Sequence, residues 1–511
     1  MGSQLKTSRK KRGARRQGKG PGDTACMTNR ARLNIPVYNL VGQENLDAIH
    51  DRSMRILEDI GIEFRDEAAL RSWREAGARV TDSRVRIPRD LLMEKIALAP
   101  AEYDLHSRNA DRRVAIGGRN MAFAPVYGSP YVRSFEGERR YARLEDFETF
   151  VKLTYMSPAL NVSGGTVCEP VDIPVSHRHL DMLFTHIRYS DKPFMGGVTS
   201  ADRAQDCLDM CRILYGADFV DTNTVMTSLI NCNSPLVWDE TMLSVLRVYA
   251  GAGQACIISP FIMQGANTPI TTAGAFAQLN AEALAGIAYA QLVRPGAPCV
   301  YGATLSTVSM KTGAPMYGTS ETQLLMFLTG QMARRYGLPM RTGGMRNGSK
   351  TVDTQAAYES LQTMLPSILS GGNFFLHSAG WLESGLSACF AKFILDADQL
   401  TVLQRLAGGM TFEEDDFAFD TLKEIGPSGH FLGCDHTLRH YATAFFAPET
   451  ADLTTYEEWE DGGAQSSFER ASGIARDTLE AYAAPALETG KEEALKEFIQ
   501  KRKSEIPVSA S

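Results

Sequence analysis

A (β/α)8 barrel is the fold class this sequence predicts, and three observations predict it. Between about residues 121 and 400, eight short apolar runs alternate with eight longer stretches of helical periodicity. The runs are continuously apolar, as strands buried on both faces must be, rather than alternating. No Gly-rich dinucleotide turn follows the first run, which disfavours the structural alternative, an open doubly wound sheet.

The runs occupy 121–126, 160–167, 193–198, 222–230, 255–263, 297–304, 338–343 and 373–378. They run out into Gly, Ser, Thr or Asn, residues that favour turns. The helical stretches follow at 143–155, 177–189, 201–215, 239–250, 271–292, 320–336, 353–370 and 385–394. Ahead of the barrel, 36–120 reads as a helical accessory region, with Leu46, Ile49, Met54, Ile56, Leu57 and Ile60 at spacings near three and four. Pro88 opens a second short helix there through Leu91, Leu92 and Ile96. Beyond the barrel, 401–505 reads as a helical extension packed on it. It comprises a short acidic helix over 411–422 and amphipathic helices over 468–482 and 491–503.

The remaining segment is 1–30, where Lys6, Arg9, Lys10, Lys11, Arg12, Arg15, Arg16 and Lys19 precede the first acid, Asp23. Without an apolar h-region it does not read as a signal peptide. A disordered solvated tail, or sequence ahead of a later start at Met27, is the plain reading; a partner-binding arm is the sharper one.

Composition excludes several function classes. The 511 residues carry 44% hydrophobic and 22% charged side chains, enough to bury a full-sized core. A formal net charge of -7 argues against nucleic acid as the main partner, and no uninterrupted apolar window is long enough for a membrane span. The nine cysteines are an odd number scattered through apolar segments, Cys207 and Cys211 being four apart on one helix face. They read as buried free thiols in a reducing, cytoplasmic compartment rather than as a disulfide framework.

In such a barrel, chemistry sits at the C-terminal ends of the strands. Arg341 is a permanent cation within an apolar run, where burial is costly unless it meets an anion. A structural ion pair or a bidentate fork for a substrate carboxylate would each satisfy it. His377 stands near the end of the last run, followed by small residues and Trp381; it is either a hydrogen-bonded core histidine or a site residue. Phe375 shares its strand parity, which predicts ring and imidazole on one face. Aromatic residues are plentiful at these ends: Tyr127, Tyr131, Phe261, Tyr301, Tyr317, Phe374, Phe375 and Trp381. Most belong to the core, yet ring faces are also what recognises a methylated ammonium. Outside the barrel, His430, Cys434, His436 and His440 have a spacing that warrants a metal test. No second compact Cys/His pair lies nearby, so a packed structural segment is preferred and no metal is assigned. Glu414, Asp415 and Asp416 read as a solvated helix face. No Ser nucleophile elbow and no phosphate loop are present.

Several longer motifs resemble the trimethylamine methyltransferase family of corrinoid-dependent enzymes. They are Asn231-Cys232-Asn233-Ser234-Pro235-Leu236, Ser259-Pro260-Phe261 through Thr271-Thr272-Ala273-Gly274, and Gly343-Gly344 through Gly348-Ser349-Lys350 with Asp353 and Gln355. The last is Gly426-Pro427-Ser428-Gly429-His430-Phe431-Leu432-Gly433 with His436-Thr437. The likeness spans roughly 36–490. It implies a (β/α)8 barrel that moves a methyl group from a methylamine to the Co(I) of a cobalamin-type corrinoid carried by a partner protein. It also implies no cofactor held by the chain itself.

The archetypal members of that family carry pyrrolysine in the barrel. This chain has only standard residues, with Arg346, Asn347 and Gly348 in the loop where pyrrolysine is sought. That departure points away from trimethylamine itself. A neutral tertiary amine would leave as an amide anion unless activated, whereas a quaternary ammonium leaves as a neutral amine and needs only alignment and a dry cage.

The members lacking pyrrolysine include enzymes that demethylate glycine betaine. The implied roles are a carboxylate grip by Arg341 and His377, an ammonium cage drawn from Tyr127, Phe261, Phe375 and Trp381, and polar rim contacts from Gln264, Asn267 and Asn347. Corrinoid-protein docking is expected over an exposed rim at 313–318 and 347–351. Other methylamines and related betaines stay open as donors, choline ranking lowest because it has no carboxylate. A betaine-binding protein without turnover is the reading from another class, and a homo-oligomer is left open.

Overall fold

Seven parallel strands line the barrel, and a stretch without a strand ladder closes it. The computed structural model describes residues 31–507; the basic segment 1–30 lies outside the described residues. The strands are β1 (Ala122–Phe123), β2 (Phe194–Met195), β3 (Met226–Ile230), β4 (Ala255–Ile258), β5 (Cys299–Gly302), β6 (Met340–Thr342) and β7 (Phe374–Phe375). They pair in the order β1-β7-β6-β5-β4-β3-β2, every pair parallel.

The gap between β2 and β1 is filled by the second apolar run of the sequence. The Phe123 carbonyl accepts from the Asn161 and Val162 N–H groups at 3.2 and 3.1 Å. Ser163 N–H donates to the Pro193 carbonyl at 2.7 Å, and Met195 N–H to the Gly164 carbonyl at 2.8 Å. Gly164 has φ +104, a conformation that no regular strand sustains, so the run bonds both neighbours without becoming a strand.

Side chains supply what the missing ladder would have supplied. Asn161 Oδ1 accepts the Phe123 N–H at 2.6 Å and its Nδ2 donates to the Met121 carbonyl at 3.2 Å. His186 Nε2 donates to the Gly165 carbonyl, leaving Nδ1 to accept from Ser163 Oγ, both at 2.7 Å. Lys192 Nζ, fully enclosed, donates to the carbonyls of Thr154, Ser157 and Leu160 at 2.6–2.8 Å.

Helices cover the barrel, seven of them where the 3.6-residue periodicity places them; the eighth, expected over 385–394, starts only after strand Ser387–Cys389 and runs on to Gly408. They run over Leu144–Met156, Arg178–Tyr189, Ala201–Tyr215, Glu240–Gly251, Thr272–Val293, Ser320–Tyr336, Thr354–Leu369 and Phe390–Gly408. Several open on side-chain caps: Asp239 accepts from Met242 N–H at 2.8 Å, and Asp353 from Ala356 N–H at 2.9 Å. Inside the barrel, Ala124, Val162, Leu229, Ile257, Val300 and Phe374 pack together. Between barrel and helices, Phe123 stacks on Phe375 at 4.6 Å among Phe147, Phe150 and Phe393.

Thr272–Val293 is apolar on every face, and all of its residues from Ala275 to Gln291 are buried. Such a helix requires cover on both sides. The barrel provides one side and the N-terminal region the other, through Leu46, Met54, Leu92 and Ile96.

That N-terminal region was expected to be helical, and it is mixed. Alongside helices Gln43–Arg55, Glu67–Glu75 and Arg89–Ile96 it contains strands Ile62–Phe64, Arg79–Thr81 and Arg84–Arg86 and the hairpin Glu102–Leu105/Val114–Gly117. All of these strands but Val114–Gly117 are Arg-rich or charged on alternate positions, a short-period signal masked by the surrounding helical pattern. At the other end, helix Ser467–Glu480 packs on Phe390–Gly408, and Thr489–Glu505 packs on Ala201–Tyr215. Residues 411–422, read as one helix, form two, Glu414–Phe417 and Phe419–Ile425. The break is at Ala418, which has φ +49.

Two outcomes follow from the closing stretch. Asn161→Val strands the Phe123 N–H in the core and lowers the unfolding free energy by about 2 kcal/mol in urea titrations; a change below about 0.5 kcal/mol would mean the ring closes without that bond. Burial pulls His186 from the ordinary histidine value of 6.5 down to about 4. The unfolded chain therefore takes up a proton that the folded protein refuses, so its contribution to stability is intact above pH 6.5 and is lost as pH falls through that window. His186→Gln should remove about one proton from the pH slope of the unfolding free energy there, and an unchanged slope would contradict the assignment.

Candidate active site at the barrel mouth

Beyond the barrel edge the chain builds walls around the mouth. After Ser259-Pro260 and Ala303 it resumes as strands Phe261–Gln264 and Thr304–Val308, paired in parallel, with Pro315–Met316 antiparallel at the edge. Farther round the rim, Trp381–Leu382, Ser387–Cys389, Tyr131–Arg133 and Arg139–Tyr141 form a four-stranded sheet.

Two arginines lie at the base of these walls, both fully buried. Arg341, on β6, spends Nη1 on Ser259 Oγ at 3.1 Å, Thr304 Oγ1 at 2.7 Å and the Ala303 carbonyl at 2.5 Å. Among the described residues its Nε and Nη2 have no acceptor, nor do any of the three guanidinium nitrogens of Arg346. Arg346 is placed by its backbone, whose N–H donates to the Gly344 carbonyl at 2.9 Å and to Thr363 Oγ1 at 3.1 Å. Its guanidinium stands 5.2 Å from the ring centre of Tyr317.

The preceding glycines are required by this packing. A Cβ on Gly343 would come within 2.4 Å of Arg346 Nη2, and one on Gly344 within 2.3 Å of the His377 carbonyl. Among the described residues neither guanidinium meets a carboxylate, so the structural ion pair considered for Arg341 is not what holds it. Burial pulls Arg341 down to about 9, with the neighbouring Arg346 adding to the effect. Burial lowers Arg346 as well.

His377 leaves β7 in the left-handed conformation, φ +65, which costs a non-glycine residue about 1–3 kcal/mol. The backbone is held there by His377 N–H donating to the Pro125 carbonyl at 3.1 Å and Met345 N–H donating to the His377 carbonyl at 2.8 Å. The turn breaks strand parity. Phe375 therefore does not share a face with His377: it is stacked on Phe123 in the layer under the helices, away from the mouth.

The imidazole lies 4.3 Å from the Trp381 ring, edge-on, and 6.4 Å from Tyr127. Trp381 in turn meets Tyr317 at 5.9 Å. Burial first, then the two guanidiniums, hold His377 well below its ordinary pKa, so it is neutral. Its Nδ1 has no partner. Burial pushes the Tyr127 phenol up to about 12.

Of the residues singled out from sequence, Arg341, His377, Tyr127 and Trp381 thus come together. Arg346 and Tyr317 join them without having been assigned a role. The sequence shows Arg346 only as a second arginine in a Gly-flanked loop. Phe261 lies on the raised rim, 38% exposed. Asn267 is spent on the turn beside it, Nδ2 donating to the Phe261 carbonyl at 2.7 Å and Oδ1 accepting from Met263 N–H at 2.8 Å. Gln264 Nε2 donates to the Ile270 carbonyl at 2.7 Å, while its buried Oε1 has no partner. Asn347 is buried and not at the rim. Its Nδ2 donates to the Trp381 carbonyl at 2.7 Å and its own carbonyl accepts from Trp381 Nε1 at 3.1 Å, so it fixes the indole.

A further buried acid went unnoticed in sequence. Glu282 accepts from Leu236 N–H and Ser234 Oγ, both at 2.7 Å, and orders the loop after β3. Outside the barrel, His436 and His440 converge not on Cys434 but on Asp415: His440 Nε2 lies 2.6 Å from its carboxylate and His436 Nε2 3.0 Å from its carbonyl. Arg439 shares that carboxylate at 2.9 Å. Cys434 instead caps its helix through Thr437.

The arrangement is a buried cluster of two guanidiniums that meet no acid among the described residues, a neutral imidazole and aromatic rings beside them. It is built to take an anionic group next to a large, weakly hydrated one. Comparison with known proteins identifies the family. The chain is 41% identical over 473 residues, 92% of its length and 98% of the relative's, to a glycine betaine methyltransferase of Desulfitobacterium hafniense. It is 26% identical to a proline betaine:corrinoid methyltransferase of Eubacterium limosum, covering 90% of this chain and 96% of that one. It is likewise 26% identical to a trimethylamine methyltransferase of Desulfitobacterium hafniense, covering 93% and 96%. Residues 6–507 match the family described as trimethylamine methyltransferase (MTTB), and the chain belongs to that family.

Proposed function

We propose that the chain transfers a methyl group from glycine betaine, or a closely similar carboxylated quaternary amine, to the Co(I) of a corrinoid borne by a partner protein. One observation carries the donor: Arg341 and Arg346, both fully buried, leave five of their six guanidinium nitrogens without acceptors among the described residues. A buried charge without a partner costs several kcal/mol, and a substrate carboxylate supplies the missing acceptor to both guanidiniums. His377, neutral, donates one N–H to the same carboxylate without adding a third positive charge.

The trimethylammonium end then faces Trp381, Tyr317 and Tyr127, whose ring faces attract it more strongly once water is excluded. The N–CH3 bond breaks with its electron pair remaining on nitrogen, giving a neutral tertiary amine. Co(I), the second substrate, supplies both electrons of the new bond to carbon. No proton is needed, and the site presents no acid to give one. The chain contributes alignment and dryness.

The rim suits a protein acceptor: Phe261, Ile270, Met310 and Met316 are exposed around the mouth sheet. The similarity to glycine betaine and proline betaine methyltransferases supports the same assignment.

Purified chain mixed with a Co(I) corrinoid protein and glycine betaine should yield dimethylglycine with loss of the Co(I) absorbance. Tight betaine binding without transfer would favour the binding-protein reading instead. Arg346→Gln should lower kcat/KM for glycine betaine by about 100-fold, since it leaves the carboxylate short of a charged donor, and should leave any activity on choline unchanged. An equal loss on both donors would remove Arg346 from carboxylate recognition.

A further inference from the structure

Residues 410–448 leave the body as an arm that has secondary structure but no core. It carries three short helices, Glu414–Phe417, Phe419–Ile425 and Asp435–His440. Helices of this length are unstable alone and depend on packing. Yet no residue from 408 to 470 is buried. Ten large apolar side chains of the arm are exposed, from Phe431 at 42% to Phe445 at 87%, with Phe412, Phe419, Leu432 and Tyr441 among them.

Together they present on the order of 1,000 Å2 of apolar surface. A monomer's largest apolar patch is typically about 300–600 Å2, and a stable association buries about 800 Å2 per partner. The arm is also a built projection. At its far end Asp398 accepts from the N–H groups of Glu449 and Thr450 at 3.2 and 2.9 Å and from Thr450 Oγ1 at 2.6 Å.

The body carries a matching seat. A groove of about 980 Å3 runs between helix Gln43–Arg55 with its continuation to Ile60 and the helices Thr272–Val293 and Ser320–Tyr336. Its lining includes Leu40, Ile49, Ile56, Ile60, Leu324 and Leu328. Arg55 on its border is paired with Asp59, whereas Arg52 meets no acid among the described residues. The arm opens with Glu413, Glu414 and Asp416, a run of the opposite sign.

We infer that the arm of one copy docks in this groove on a second copy of the same chain. A corrinoid protein fits the arm less well. It must come and go, and transient interfaces are small and polar; the arm's apolar area is that of a permanent contact. The arm also leaves from the wrong end for it. Ala407 accepts from Asn34 N–H at 2.7 Å, beside the start of β1, so the arm departs from the face opposite the mouth.

The test uses the full chain with Cys26→Ser. Of the remaining cysteines all but Cys434 are buried, so Cys434 marks the arm. With Arg52→Cys in the groove, a short bismaleimide should convert dilute protein into covalent oligomers, and adding Cys434→Ser should abolish this. Leu432→Glu with Phe445→Glu should reduce the native mass by light scattering to that of one chain while the circular dichroism of the barrel persists. A native mass of one chain for the unsubstituted protein overturns the inference. So does an Arg52→Cys to Cys434 link within a single chain, an oligomer that survives the double Glu substitution, or a link that forms only when the corrinoid protein is added.

Discussion

The ring of parallel strands has to close where the chain offers no strand. Six pairs of neighbours are joined by regular ladders, but 161–164 bonds β1 and β2 through a few irregular backbone bonds backed by side-chain groups of Asn161, His186 and Lys192. Each of these groups is enclosed, so each bond that fails leaves a buried polar atom without a partner, at about 1–3 kcal/mol apiece. The mouth inherits its geometry from that closure. Tyr127 follows β1, Arg341 and Arg346 belong to β6 and its loop, and His377 and Trp381 follow β7. An open sheet would keep β1, β7 and β6 paired but would leave β1, and Tyr127 after it, uncovered on the side now filled by 161–165.

At the mouth the largest unfavourable terms are concentrated within a few residues. The left-handed backbone of His377 costs about 1–3 kcal/mol. The exposed-to-buried transfer of a guanidinium without an acid costs several more, and two are present side by side, Arg346 lowering Arg341 and both lowering His377. The electrostatic cost exceeds the conformational one, so the recess is defined first by charge and only then by shape. His377 responds by being neutral, which keeps a hydrogen-bond donor at the site without a third repulsive charge.

Most of the architecture was legible because it rests on patterns one element long. Seven of the eight helices after the barrel strands fall where 3.6-residue periodicity places them, the eighth being displaced toward the C-terminus, and seven of the eight apolar runs are strands. The run at 160–167 reads like the others, since apolar composition does not reveal a glycine with positive φ or bonds made by side chains 21 to 32 residues away, such as His186 to Gly165 and Lys192 to Leu160. Short strands in the N-terminal region were lost within a dominant helical rhythm. At the site, Arg341 was visible as a charge in an apolar strand. Arg346 was not, because a loop arginine is ordinarily solvated, and only the folded structure encloses it between Gly343 and Tyr317. Phe375 was misplaced for a related reason: strand parity holds only while the backbone stays extended, and His377 does not.

The reciprocal bonds between Asn347 and Trp381 tie the loop after β6 to the loop after β7. The first of these loops carries a cation of the recess and the second an aromatic wall, so neither can be remodelled by itself. Enlarging the wall tilts the segment bearing Arg346, and shortening that segment turns the indole. Divergence toward a new donor is therefore channelled into paired exchanges of whole loops, and single substitutions at this mouth tend to cost activity before they gain a new preference.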